Sequence, residues 1–190
     1  MIRIVRHGLF LLSTALIFSG IAACQDTSKV ASSTKVAQAI GTDVSLTLTG
    51  YNYTNRYIDQ FSVGSAAGGN LFLSSPGGGG GGSVCCIPYV IGASAWKTIV
   101  RWQVDACTYN NSVDESGKPS YEIHSFFKEI EVQIDPHIPE NPQYFEVHFF
   151  SDGHVEAAIT AHSSPPRVIL SKDREDKTPF KKCPNDKQPI

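Results

Sequence analysis

Short segments in which apolar and polar residues alternate with period two recur along this chain, and no stretch carries a 3.6-residue apolar stripe. Val44, Leu46 and Leu48 alternate with Ser45, Thr47 and Thr49. Trp96, Thr98, Val100, Trp102 and Val104 alternate with Lys97, Ile99, Arg101 and Gln103, and Ile130, Val132 and Ile134 with Glu129, Glu131 and Gln133. Such segments, rich in β-branched and aromatic residues, predict half-buried strands. With 190 residues the chain is long enough for one domain. The expected fold is therefore mostly β: a single small antiparallel sheet domain, either a sandwich or a partly open barrel.

One hairpin can be read down to its register. Tyr144–Phe150 and His154–Ala161 flank Ser151-Asp152-Gly153. A two-residue Asp-Gly turn would set Phe149 opposite Glu156, mixing apolar and charged residues on one face. A three-residue loop with Gly153 in the left-handed position instead pairs Phe149 with Val155, Val147 with Ala157 and Phe145 with Ile159. That register gives one consistent core face and places His148 beside Glu156 on the outer, solvated face.

Gly68-Gly69-Asn70 and the run from Pro76 to Ser83, with its six consecutive glycines, read as loops. Residues 43–170 are expected to form the β domain. Residues 171–190 form a charged, proline-containing tail that buries little and is tied down through Cys183.

The N-terminus sets the compartment. Arg3 and Arg6 precede an apolar stretch, Leu9 to Ile21, too short to cross about 30 Å of hydrocarbon as a helix. It ends in Ile21-Ala22-Ala23-Cys24, which resembles a bacterial lipobox, in which the thiol of the cysteine is acylated and the signal is cut off ahead of it. Residues 1–23 are thus expected to be a signal peptide, Cys24 the lipidated first residue, and residues 24–42 a flexible tether rich in Ser, Thr, Ala, Gln and Lys. Gln25, not Asp, follows Cys24, which points to the outer membrane, periplasmic face; inner-membrane anchoring is the alternative. The formal charge of −2 excludes an electrostatic nucleic-acid binder.

With Cys24 acylated, Cys85, Cys86, Cys107 and Cys183 remain, an even number suited to two disulfides in an oxidising compartment. Adjacent strand residues point to opposite faces, so one of Cys85 and Cys86 is expected to pair with Cys107 and the other with Cys183. The spacing fits no structural metal site, and no metal or cofactor is expected.

Catalytic motifs are missing. Gly92-Ala93-Ser94-Ala95-Trp96 fails as a nucleophile elbow at its last position, and no Gly-Lys-Ser/Thr follows the glycine run. The His148–Glu156 pair could orient an imidazole, but a cross-strand polar pair on a solvated face is far commoner. The chain is therefore read as a binding protein, not an enzyme. Tyr51, Tyr53 and Tyr57, with Gly79 and Gly80 of the glycine run, are the candidate contact surface, a mixture typical of protein interfaces. The rival reading packs these tyrosines into a small β core with their hydroxyls at its rim.

Tyr51-Asn52-Tyr53-Thr54, Tyr57-Ile58, Gly68-Gly69-Asn70, the glycine run into Val84-Cys85-Cys86, the Trp102 strand, and Val147-His148-Phe149 before Asp152-Gly153 form an ordered series from Gly50 to Ser163. The series resembles the small bacterial lipoproteins of domain-of-unknown-function family 3304. The resemblance implies a protein partner: such lipoproteins are encoded beside type VI secretion effectors with lipase activity and are similar to the immunity proteins that protect the producing cell. It brings no catalytic residues. The expected function is neutralisation of a phospholipase effector in the periplasm, with an outer-membrane structural or peptidoglycan-associated lipoprotein as the alternative.

Overall fold

Residues 40–93 and 97–189 are described by the computed structural model; Cys24, the signal peptide, most of the tether and Trp96 lie outside them. Nine strands follow in chain order: β1 (Asp43–Asn52), β2 (Ile58–Val63), β3 (Ala66–Leu71), β4 (Gly80–Val90), β5 (Lys97–Val113), β6 (Pro119–Gln133), β7 (Tyr144–Phe149), β8 (Val155–Thr160) and β9 (Lys181–Lys182). They form one curled sheet, a half-barrel, in the order β6-β5-β2-β3-β4-β1-β7-β8, with β9 beside β5. The two ends of this path meet at one point, where Ile134 bridges Ala157 and the Asp135 N–H donates to the Ala157 carbonyl at 3.2 Å. The partly open barrel is thus the alternative that fits, and a purely antiparallel sheet is corrected to a mixed one. β7 runs parallel to β1, and β9 parallel to β5.

The alternating segments supply the interior. Leu46, Leu48, Val100, Trp102, Val132, Ile134, Phe145, Val147 and Phe149 are all buried in one cluster. Phe149 lies near its centre, edge-on to Phe61 at 5.4 Å between ring centroids and tilted on Trp102 at 5.6 Å. The β7–β8 register is Phe149 opposite Val155, Val147 opposite Ala157 and Phe145 opposite Ile159, as the three-residue loop predicts. Gly153 sits at φ +86°, where a side chain would be strained.

Alternation fails at bulges. The β5–β6 register shifts between Gln103 and Asp105, so Val104, expected inside, is 48% exposed. A second shift places Leu46 opposite Ile87 but Thr47 opposite Cys85, leaving Cys86 as the extra residue. The rule that neighbours face opposite sides therefore does not apply there, and the expected pairing is overturned. Cys85 and Cys86 partner each other, and Cys107 partners Cys183 with their Cα atoms 4.9 Å apart.

Both glycine segments enter strands instead of remaining loops. Gly68 lies in β3 directly against the Phe61 ring, where a Cβ would overlap it. Gly79, Gly80 and Gly81 form the seam where β4 passes from β3 to β1. A Cβ on Gly79 would meet Tyr51 and the Gly50 carbonyl, on Gly80 the Phe72 carbonyl, and on Gly81 the side chain of Leu71. Gly77, Gly78 and Gly82 have open space around them. Half of the run is thus required by close approach of backbones, and the other half is not.

The C-terminal tail is more than a segment hung on Cys183. Arg174 donates to the carbonyls of Asn52 (3.1 Å), Thr54 (3.0 Å) and Ser74 (3.1 Å), and the Asp176 N–H donates to Asn55 at 2.7 Å. Arg56 pairs with Asp176 at 2.9 Å and lies over the Phe180 ring at 5.0 Å. β9 then lies along β5, and the Cys183 N–H donates to the Thr108 carbonyl.

Candidate functional site

β7 is a central strand, flanked by β1 on one side and β8 on the other, and this decides the fate of its polar residues. His148 stands opposite Glu156 as expected, yet it is fully buried, and so is Glu146. The outer face of β7 is covered by Tyr51 of β1, by Tyr53 just beyond it, and by the segment after β8. Tyr51 stacks on the His148 ring at 4.4 Å and 12°, and Tyr53 at 5.9 Å and 15°. The Ser164 N–H donates to Glu146 Oε1 at 2.7 Å, and the Tyr51 hydroxyl donates to the Ser164 carbonyl at 2.6 Å. The Arg167 N–H donates to the Tyr53 hydroxyl at 2.8 Å, while the Arg167 guanidinium pairs with Glu156.

Electrostatics separates the two buried titratable groups. Burial lowers the His148 pKa, and the neighbouring Glu146 only partly opposes it, so the imidazole is neutral. Burial works against the Glu146 carboxylate too, but His148 and Ser164 more than compensate and hold it below the usual carboxylate range. A neutral imidazole then accepts from the Tyr53 hydroxyl at Nδ1 (3.1 Å) and turns its Nε2–H toward Glu146 Oε2, 3.6 Å away. The hydroxyls of Tyr51 and Tyr53 have raised pKa values, through burial first. This cluster fixes a cover onto the sheet; His148 is bonded to Tyr53 through Nδ1, while its Nε2 and Glu146 Oε2 face each other without a hydrogen bond.

The expected contact surface is corrected accordingly. Tyr51 and Tyr53 are 1% and 2% exposed, so neither can meet a partner. Gly79 and Gly80 are half-buried parts of the strand seam. Tyr57 alone of the three tyrosines reaches the surface, where it tilts against Phe72 at 5.0 Å; Phe72 is 63% exposed. Tyr109 packs against Cys107 and Cys183.

Beside Tyr57 opens a hollow of ≈ 220 Å³. Trp102 is in its wall, Phe150 and Phe180 join it, and Arg56 and Lys128 bring positive charge to it. Lys128 Nζ lies 5.6 Å from the Trp102 ring centroid, with only a long 3.5 Å contact to the Gly153 carbonyl. Arg56 is held by Asp176, whose own pKa is driven well down by the hydrogen bonds from Thr178 and Arg56. Asp105 is the acidic residue of the lining. Among the described residues no group of three His, Cys, Asp or Glu side chains is placed to hold a metal ion.

Sequence reasoning missed Asn52, Ser164, Arg174 and Phe180. Asn52 is fully buried and donates from Nδ2 to the carbonyls of Arg56 (2.7 Å) and Leu71 (3.2 Å), shaping the loop that presents Tyr57. Its place inside the Tyr51-Asn52-Tyr53-Thr54 string was the available signal. For Ser164, Arg174 and Phe180 no local pattern exists, since their partners lie a hundred or more residues away or on a strand read as solvated.

The fold and this surface define a disulfide-bearing half-barrel with an aromatic hollow and a sealed polar cover. The model of a family described as a protein of unknown function, DUF3304, matches residues 51–157, more than half of the chain. The chain belongs to that family. No curated protein and no solved structure matches it.

Proposed function

We propose that this protein is a lipid-anchored periplasmic binding protein that neutralises a phospholipase effector of a type VI secretion system, and that the Tyr57–Phe72 pair and the adjoining hollow form its contact surface. The surface assignment is carried by the exposed Phe72 ring against half-buried Tyr57, beside a hollow walled by Trp102, Phe150 and Phe180 and flanked by the cations Arg56 and Lys128. Interface hot spots have this composition, with Tyr, Trp and Arg around a pocket that a partner side chain fills. Cys24 in its lipobox supports the anchor, and the serine- and threonine-rich segment after it supports a tether that raises the local concentration at the bilayer. His148 supports a binding role over a hydrolytic one, because the ring is fully buried beneath the sheet cover and its Nδ1 is taken by the Tyr53 hydroxyl. A stoichiometric inhibitor of a potent toxin requires affinity on the order of nanomolar and an interface of roughly 1,600 Å², more than Tyr57 and Phe72 alone supply.

The test is protection of living cells. Deleting the gene beside an intact effector gene should make the strain sensitive to its siblings, and the wild-type chain should restore resistance. Tyr57→Ala with Phe72→Ala should fail to restore it while accumulating normally, and Cys24→Ser should weaken it. Full resistance of the deletion strain, with no second protective gene, rejects the reading.

A further inference from the structure

The two long strands of the β5–β6 arm have unlike edges. β5 is covered beyond the point where β2 ends. β9 pairs with it at Cys107 and Thr108, the Cys183 N–H donates to Thr108, and Asp186 Oδ1 accepts from the Asn110 N–H at 3.1 Å. β6 ends the sheet path. Among the described residues, its outer edge is met only past its C-terminal end, at the Ile134–Ala157 bridge. From Tyr121 to Glu129 the edge is thus free. Natural sheets blunt such an edge with a proline, a bulge, a short strand or charged side chains, and of these devices this stretch carries the charges of Glu122, Lys128 and Glu129. This stretch has no proline, and the register shifts of the arm fall between Gln103 and Asp105 and between Asn110 and Ser112, on β5.

The side chains along this edge complement themselves. A two-fold axis normal to the sheet keeps each side chain on its own face, so an antiparallel pair of β6 strands can be centred only on a residue. Centred on Ser125, Glu122 stands opposite Lys128, His124 opposite Phe126 and Ile123 opposite Phe127, each twice by symmetry. Centred one residue later, Ile123 meets Glu129 and His124 meets Lys128; one residue earlier, Glu122 meets Phe126 and Lys128 meets Ser120. Of these three registers, the one centred on Ser125 joins Glu122 to Lys128 and Ile123 to Phe127, with Tyr121 opposite Glu129. The edge also carries apolar surface that the monomer leaves in water: Tyr121 is 50% exposed, Ile123 60% and Phe126 39%.

We infer that β6 is the dimerisation edge of this protein: a second copy adds its own β6 antiparallel about Ser125, making one continuous sheet through an isologous contact. Tyr57 and Phe72 lie outside this contact, although Lys128 belongs both to it and to the lining of the adjoining hollow.

The full chain, extracted from membranes in mild detergent, provides the test. Sedimentation should give a dimer, and Ser125→Cys should cross-link across the axis under oxidation, giving a doubled band on non-reducing gels. Glu122→Lys and Lys128→Glu should each weaken the dimer at least about tenfold, by placing like charges opposite, and the two together should restore it. Rescue by the double exchange separates a contact effect from loss of the Glu122 bonds to Tyr109 and Asn111. A monomer at all concentrations, a dimer indifferent to both exchanges, or a Ser125→Cys chain that cross-links only to a different protein overturns the inference.

Discussion

His148 is held neutral by its burial between Tyr51 and Tyr53, while the neighbouring Glu146 stays ionised through its partners, so stability depends on pH in two windows. For His148 the folded pKa lies below the unfolded value of about 6.5. Between those values the unfolded chain binds more protons, and stability falls as the pH drops from about 6.5. Glu146 has a folded pKa below the unfolded value of about 4.3, so its contribution is present above that pH and lost as the pH falls through the folded value. Thermal unfolding across a pH series should show Tm declining already between neutrality and about pH 5.5, before carboxylates titrate. His148→Gln should lower Tm at neutral pH yet flatten that first decline; a wild-type Tm constant over the window would contradict the assignment. The glycine seam makes a second residue-scale prediction. Gly80→Ala combines φ +99° with a clash against the Phe72 carbonyl and should cost at least about 1–3 kcal/mol, measured by denaturant unfolding. Gly77→Ala, in open space, should leave stability within about 0.5 kcal/mol.

At the scale of elements, the C-terminal tail works as a clasp. Cys107 and Cys183 are 76 residues apart in sequence, and their bond keeps β9 against β5. Cys183→Ser should cost about 2–4 kcal/mol and raise hydrogen exchange at Thr108, Asn110 and Lys182, with the β7–β8 hairpin unaffected. Equal exchange in all three would show that β9 does not depend on the clasp. Strands flanked by ordinary turns were legible in the sequence: β1, the inner half of β5 and the β7–β8 register all follow from period two and the Asp-Gly chemistry. What hid the rest is physical. A bulge leaves no trace in composition, so Val104 was expected inside, and Cys85 and Cys86 were expected to pair with different cysteines. The polar face of β7 carries Glu146 and His148, a pattern identical to that of a solvated face, and only the parallel neighbour β1 and the Ser164–Arg167 cover make it interior. The contact surface was legible only at Tyr57, because Phe72, Phe180 and Lys128 come to it from three other parts of the chain.

For the molecule as a whole, membership of the DUF3304 family rests on residues 51–157, while the tail that completes the hollow lies beyond them. The hollow is thus built by the matched region together with Phe180, and relatives with different tails would have different walls there. The Glu146–His148 pair is sealed inside, while the aromatic residues of the hollow lie at a concave surface. The direct test of the proposed function is titration of its proposed target, a type VI phospholipase effector, with the purified chain, following phospholipid hydrolysis in vesicles. The account predicts activity falling in proportion to added protein and reaching zero at one copy per enzyme, with Tyr57→Ala/Phe72→Ala shifting the curve to a large excess. Undiminished hydrolysis at a many-fold excess of correctly folded protein would contradict it.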